Sequence, residues 1–234
     1  MILNLLKIKT QAEYEQGIFV YNSLYQQHIH KYLNLKSSSK MKKITLISTL
    51  FLAAIFFSFT VVTNTSWTYD NAHAKVGFSV THMLVSDVEG SFKKATATLT
   101  TSKADFSDAV VEFSAEAASI NTDNEKRDAH LQSPDFFDVA QFPAVTFKSN
   151  SFKKGKDANT YVVKGNLTMH GISKPVTLDV VARTGTNPMS KKTIAGFKIT
   201  GKLNRSDFGI GGGIPEAVVS NEVLINANAE FIKN

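Results

Sequence analysis

Arg127, Asp128 and His130 fall within one short stretch of the chain, and Phe136 and Phe137 follow closely. A guanidinium, a carboxylate and an imidazole beside two aromatic rings can hold a polar head while the rings cover an apolar tail. The plainer reading pairs Arg127 with Asp128 to anchor the segment and leaves His130 as a satisfied partner. Both readings stay open, and neither needs catalysis. His73, His82, His130 and His170 invite a metal, yet no two of them stand at the i,i+4 or His-x-His spacing that brings ligands together, so no metal is expected. No Gly-x-Ser-x-Gly elbow and no standout carboxylate pair is present, so no catalytic residue and no enzyme activity is expected. Gly211-Gly212-Gly213 lacks the Gly-Lys-Ser/Thr continuation of a phosphate loop and reads as a rim turn. Nothing in these motifs calls for a cofactor.

The elements that must position this group are strands. Residues of one character recur every second position along Val76-Phe78-Val80, Val111-Phe113-Ala115-Ala117, Tyr161 to Met169, Val176 to Ala182, Ala195 to Leu203 and Val223 to Phe231. That period places them on one face of an extended chain. Ala95 to Thr101 and Val145 to Phe152 are weaker strands, which makes the count about eight. Short turns at Gly155 to Asn159, His170-Gly171 and Gly185 to Pro188 imply antiparallel neighbours. A closed barrel and a sandwich both accommodate such strands, and the pattern does not choose between them. Residues 121–143 interrupt the alternation. Thr122 and Glu125 have capping-box spacing before Glu125 to Gln132, and Ser133-Pro134 has the form of a cap and first helical residue before Asp135 to Gln141. Two short helical turns are expected there.

The formal charge of +6 is uneven along the 234 residues. Residues 1–64 hold seven Lys and two acidic groups, and the remainder holds 19 basic and 18 acidic side chains. The remainder therefore has no field to attract a phosphate backbone, and nucleic acid is not an expected partner. The chain has no cysteine, which removes disulfides and thiolate chemistry. Met41-Lys42-Lys43 followed by an uncharged run from Ile44 to Val62 has the form of a secretory signal, either cleaved near Val62 to Thr65 or retained as an anchor. A periplasmic or secreted location is expected. Residues 1–40 precede that signal as an extension that fits no pattern, and Met41 is expected to be the true start.

Phe78-Ser79-Val80-Thr81-His82-Met83, Arg127-Asp128-Ala129-His130-Leu131, Asp135-Phe136-Phe137-Asp138, Phe142-Pro143-Ala144-Val145-Thr146-Phe147, Gly165 to Gly171 and Arg205-Ser206-Asp207-Phe208-Gly209, in this order, resemble the YceI-like family of bacterial secreted proteins. The resemblance covers nearly all of residues 66–234. It implies an all-β fold, an eight-stranded antiparallel lipocalin-like barrel with a short helical insertion, whose lumen takes a polyisoprenoid, an isoprenoid pyrophosphate, a quinone or another long amphiphile. It brings no catalytic residues. With a barrel, the alternating faces make Phe78, Val80, Val111, Phe113, Phe147, Val163, Phe197 and Ile199 lumen candidates, with Phe136 and Phe137 beside them. Arg127, Asp128, His130 and His170 carry over as motif positions. The expected role is carriage or sequestration of the lipid, with the membrane as ligand source or, through an uncleaved signal, as anchor. Two alternatives stand beside it. One is an enzyme acting on such a lipid through His130 or His170, and the other is a stress-related interaction module with a solid-packed barrel. A barrel can also form a homodimer across its rim, although no exposed apolar stripe in the sequence demands it.

Overall fold

The computed structural model describes residues 22–26, 28, 29 and 64–234. Two compact units result, Met1–Val61 and Val62–Asn234. In the first, the described residues are helical. The rest of the expected extension at 1–40, and all but the last residue of the expected signal at 41–64, lie outside the described residues.

The second unit is one antiparallel sheet rolled on itself. Its strands are β1 (Thr65–His82), β2 (Ser86–Phe92), β3 (Ala95–Thr101), β4 (Val110–Glu116), β5 (Ile120–Asn121), β6 (Ala144–Lys154), β7 (Thr160–Met169), β8 (Ile172–Thr186), β9 (Thr193–Asn204) and β10 (Val219–Lys233). β2 and β3 are two halves of one strand. Both pair with β1, β2 along Val76–His82 and β3 along Thr65–Thr68. Lys93 and Lys94 interrupt them by donating their amides to the carbonyl and hydroxyl of Ser119. β4 and β5 are likewise joined by a 3-10 turn at Ala117–Ser119. The register of β1 on β10, from Trp67↔Lys233 to His82↔Val219, closes an eight-stranded barrel. Closure leaves no long free edge, which decides the choice between barrel and sandwich.

Side-chain alternation follows the sequence. In β7, Tyr161, Val163, Gly165, Leu167 and Met169 are buried while Lys164 and Asn166 face water. Gly165 is required there, because a Cβ would sit 2.5 Å from the Phe147 ring. The buried core is one cluster that runs from Trp67, Phe106, Phe197 and Phe231 through Phe147 and Leu167 to Phe136 and Ile210.

Two expectations for residues 121–143 are corrected. One helix forms, α1 (Glu125–Leu131), and its cap is Asn124, whose Oδ1 accepts from the Arg127 amide at 3.0 Å. The Thr122 hydroxyl is engaged elsewhere. Ser133 starts no second helix. Its carbonyl accepts from the amides of Phe136 and Asp138, Asp138 turns to φ +43°, and residues 133–141 form a chain of turns. The Ser133 hydroxyl, which a cap would use, is buried with no partner.

Candidate ligand-binding cavity

The lumen holds a cavity of about 490 Å³. Cavities of this size accommodate one drug-sized ligand, so the barrel is not packed solid. Its wall is built by the inward faces of the strands, and its two ends are finished differently.

One end is sealed. Phe106, on the β3–β4 loop, is 3% exposed and adopts φ +56°. Its ring packs 5.4 Å from Trp67 and 5.2 Å edge-on from Phe197, and Phe197 in turn meets Phe152 and Phe231. Edge-to-face rings fill this end with hydrocarbon. The loop that carries Phe106 is held by Asp108, whose carboxylate accepts from the hydroxyls of Thr101 and Ser102 and from the amides of Ser102 and Lys103. These bonds, led by that from Ser102, hold its acid well below the usual carboxylate range. The Tyr161 hydroxyl donates to the Asp105 carbonyl at 2.7 Å and ties the same loop to β7.

The other end is polar and cationic. Thr122 is the joint: its amide and hydroxyl donate to one oxygen of Asp128 at 2.8 and 2.5 Å, its hydroxyl accepts from Arg127 Nε at 2.7 Å, and its carbonyl accepts from Arg127 Nη2 at 2.7 Å. Arg127 and Asp128 therefore meet through Thr122 and not as a direct ion pair. His130 packs edge-on against Phe136 with ring centroids 4.9 Å apart, and its Nε2 lies 3.9 Å from the exposed Asp135 carboxylate. Among the described residues the wall carries Arg127, Arg205, His82 and His130 but no Asp or Glu. Tyr69 also lines it, and burial pushes its phenol up, which keeps it neutral.

Of the residues singled out in the sequence, Phe78, Val80, Val111, Phe113, Arg127, His130, Phe136, Phe137, Phe147, Val163, Phe197 and Ile199 all lie on the cavity wall. Asp128 and His170 do not. The carboxylate of Asp128 is consumed by Thr122. His170 Nδ1 lies 3.0 Å from the Phe208 carbonyl, and its ring stands edge-on to Phe142, so it fastens the β7–β8 turn to the 3-10 turn at Arg205–Phe208. Neither is placed to touch a molecule in the lumen.

A family model, the YceI-like domain, matches residues 67–231. The chain belongs to the YceI-like family. UPF0312 proteins of this kind from Staphylococcus aureus strains N315 and Mu50 are 35% identical over 175 residues, covering 71% of this chain and 97% of theirs. Among solved structures, BcnA of Burkholderia cenocepacia superimposes with TM-score 0.61 at 24% identity, over 69% of this chain and 98% of that one. The YceI protein of Campylobacter jejuni gives 0.58 at 27% identity, over 66% and 90%. A polyisoprenoid-binding domain from Saccharophagus degradans, implicated in plant cell wall breakdown, gives 0.52 at 15% identity, over 72% and 98%. The match spans 90–98% of these solved chains.

Among the wall residues of the YceI-like barrel that strand alternation does not single out is Arg205. It is 6% exposed, and its guanidinium donates to the carbonyls of Ile210, Gly211, Ile214, Val219 and Ser220. One side chain thus folds the whole 210–220 loop over the open end. Gly211, at φ +60°, passes close enough that a Cβ would stand 3.0 Å from the Phe136 ring and 3.1 Å from Arg205. The Arg205-Ser206-Asp207-Phe208-Gly209 motif marked the position, but its acceptors are backbone atoms that side-chain identity does not reveal.

Proposed function

We propose that the protein binds one long-chain amphiphile in the barrel, with the tail toward Phe197 and the polar head beside Arg127 and His130. It is read as an exported carrier or scavenger of a polyisoprenoid, isoprenoid pyrophosphate, quinone or similar lipid, and not as an enzyme. The observation that carries this reading is the cavity of about 490 Å³, apolar along the strands, sealed by aromatics at one end and edged by cations at the other. Burial of a chain contributes about 0.8 kcal/mol per CH₂, so a long tail binds tightly without a polar site deep in the lumen. Part of that gain offsets the cost of immobilising the ligand. Cations with no carboxylate on the wall favour a head that is anionic or accepts hydrogen bonds. The polyisoprenoid-binding description of the Saccharophagus degradans domain, which shares the fold, supports the same class of ligand. The charge-free run from Ile44 to Val62 supports export.

Titration with a long-chain prenyl alcohol and the corresponding prenyl phosphate tests the proposal. Both are expected to bind at one per barrel, the phosphate more tightly. Arg127→Gln is expected to weaken the phosphate about tenfold and leave the alcohol nearly unchanged. Failure of both ligands to bind contradicts the proposal.

A further inference from the structure

The open end carries a feature that lipid storage does not use. Met83, Leu84 and Val85, at the tip of the β1–β2 hairpin, are 51%, 72% and 83% exposed. The other large apolar side chains exposed in the barrel, Val110, Ile172, Met189 and Leu224, are isolated in the sequence. The tip is also held in an unfavourable way for these residue types. The Val85 amide donates to the His82 carbonyl at 3.1 Å, closing a turn whose central residues Met83 and Leu84 sit at φ +51° and +60°. Asn-Gly normally supplies that left-handed pair, and a large side chain there is strained. Local folding therefore does not account for Met-Leu at this place, nor does burial.

The tip is continuous with the cavity. The residues flanking it on both strands, Val80, His82 and Val88, line the lumen, and the Met83 amide donates to the carbonyl of Val218, another wall residue. Among the described residues the outer edge of β2 from Ser86 to Gly90 has no paired strand, since β5 takes up only Ser91 and Phe92. No Lys or Arg occurs between Val76 and Phe92, and Asp87 and Glu89 are the only formal charges in that stretch.

We infer that Met83, Leu84 and Val85 form a docking tip that enters the interfacial region of a lipid bilayer and sets the cavity mouth against it. This rests on the lipid-binding reading of the cavity and adds the surface from which the ligand is taken. A strained apolar turn is stabilised once its side chains leave water, and three such side chains give reversible attachment and not permanent anchorage. The acidic flank makes attachment independent of anionic lipid. It therefore occurs on neutral bilayers and survives high salt, unlike attachment through basic patches.

The test uses residues 64–234, which lie in a compact unit of their own with the barrel closed by β1 on β10, because the apolar run at 44–62 would itself bind lipid. Wild-type barrel and the variant Met83→Asn, Leu84→Gly, Val85→Ser are floated with phosphatidylcholine vesicles at low and high salt. The variant places Asn-Gly at the left-handed pair, so its turn keeps or improves its stability. Wild type is expected to float at both salt concentrations, and the variant to lose at least about tenfold in vesicle affinity. Prenyl alcohol added from dilute solvent is expected to load both proteins equally, whereas transfer from vesicles slows only in the variant. Wild type that stays with the aqueous fraction, a variant that floats as well as wild type, or a wild type that dimerises through the tip and ignores vesicles each overturns the inference. Loss of prenyl alcohol binding with vesicle docking intact would instead count against the cavity reading alone.

Discussion

At the sealed end Trp67, Phe106, Phe152, Phe197 and Phe231 meet through their rings, and the loop over them is fastened by a carboxylate that accepts bonds from its own neighbours. At the open end cations take part in fastening the loops: Arg205 reaches five backbone carbonyls, and Arg127 meets Thr122, which the Asp128 carboxylate holds from its other side. Hydrocarbon burial and local hydrogen bonds make the first end a foundation. The second end keeps positive charge in reach of the lumen while still closing its loops. Stability and ligand contact are thereby separated along one axis, and substitutions at the two ends should report different properties.

The largest effect is expected from Phe197→Ala. Removing the ring shared by Phe106, Phe152 and Phe231 should cost about 3–5 kcal/mol in urea unfolding. If the variant stays folded, its lumen is deeper and should admit a longer prenyl chain, which a chain-length series of ligands measures. Unchanged stability would mean that the aromatic seal is not the foundation of the barrel.

Arg205→Met comes next. It keeps the bulk but strands the carbonyls of the 210–220 loop, and should cost about 2–4 kcal/mol. Hydrogen exchange should rise across residues 209–219 and ligand release should quicken, with the loop at 102–109 still protected. Loosening of both ends together would erase the distinction.

Acid should act the opposite way. The Asp108 carboxyl titrates below its ordinary 3.8 in the folded protein, so its contribution is complete above that value and is lost as the pH falls toward the folded-state value. Exchange at residues 101–109 should therefore increase below about pH 4 before the open end responds, and Asp108→Asn should show the same loosening at neutral pH, worth about 1–2 kcal/mol. The smallest effect, about 1 kcal/mol, is expected for Asn124→Ala, which removes the cap of α1 and should fray residues 124–131 without shifting the sealed end.

The strands were legible because each has one wet and one dry face, and period two survives any register. Closure was not. The pairing of β1 with β10 joins opposite ends of the domain and leaves no mark on local pattern, so the barrel entered through family resemblance and was decided by the register of Trp67 on Lys233. The helical insertion was visible as a break in alternation, but its cap was misplaced because Thr122 and Asn124 both carry oxygens able to cap. Only the fold shows that the Thr122 hydroxyl is committed to Asp128 and Arg127. The lumen positions on β1, β4, β6, β7 and β9 followed directly from strand alternation. Asp128, His170 and Arg205 did not follow from sequence, because what distinguishes a wall residue from a loop fastener is which backbone carbonyl or hydroxyl it reaches.

Native mass spectrometry of the protein, purified from its own host without detergent and followed by organic extraction, tests the central claim most directly. A single long-chain amphiphile carried at one per barrel, released together with a shift to the bare mass, is the predicted result. A bare mass that stays unchanged after incubation with quinones, prenyl alcohols and prenyl phosphates would contradict it.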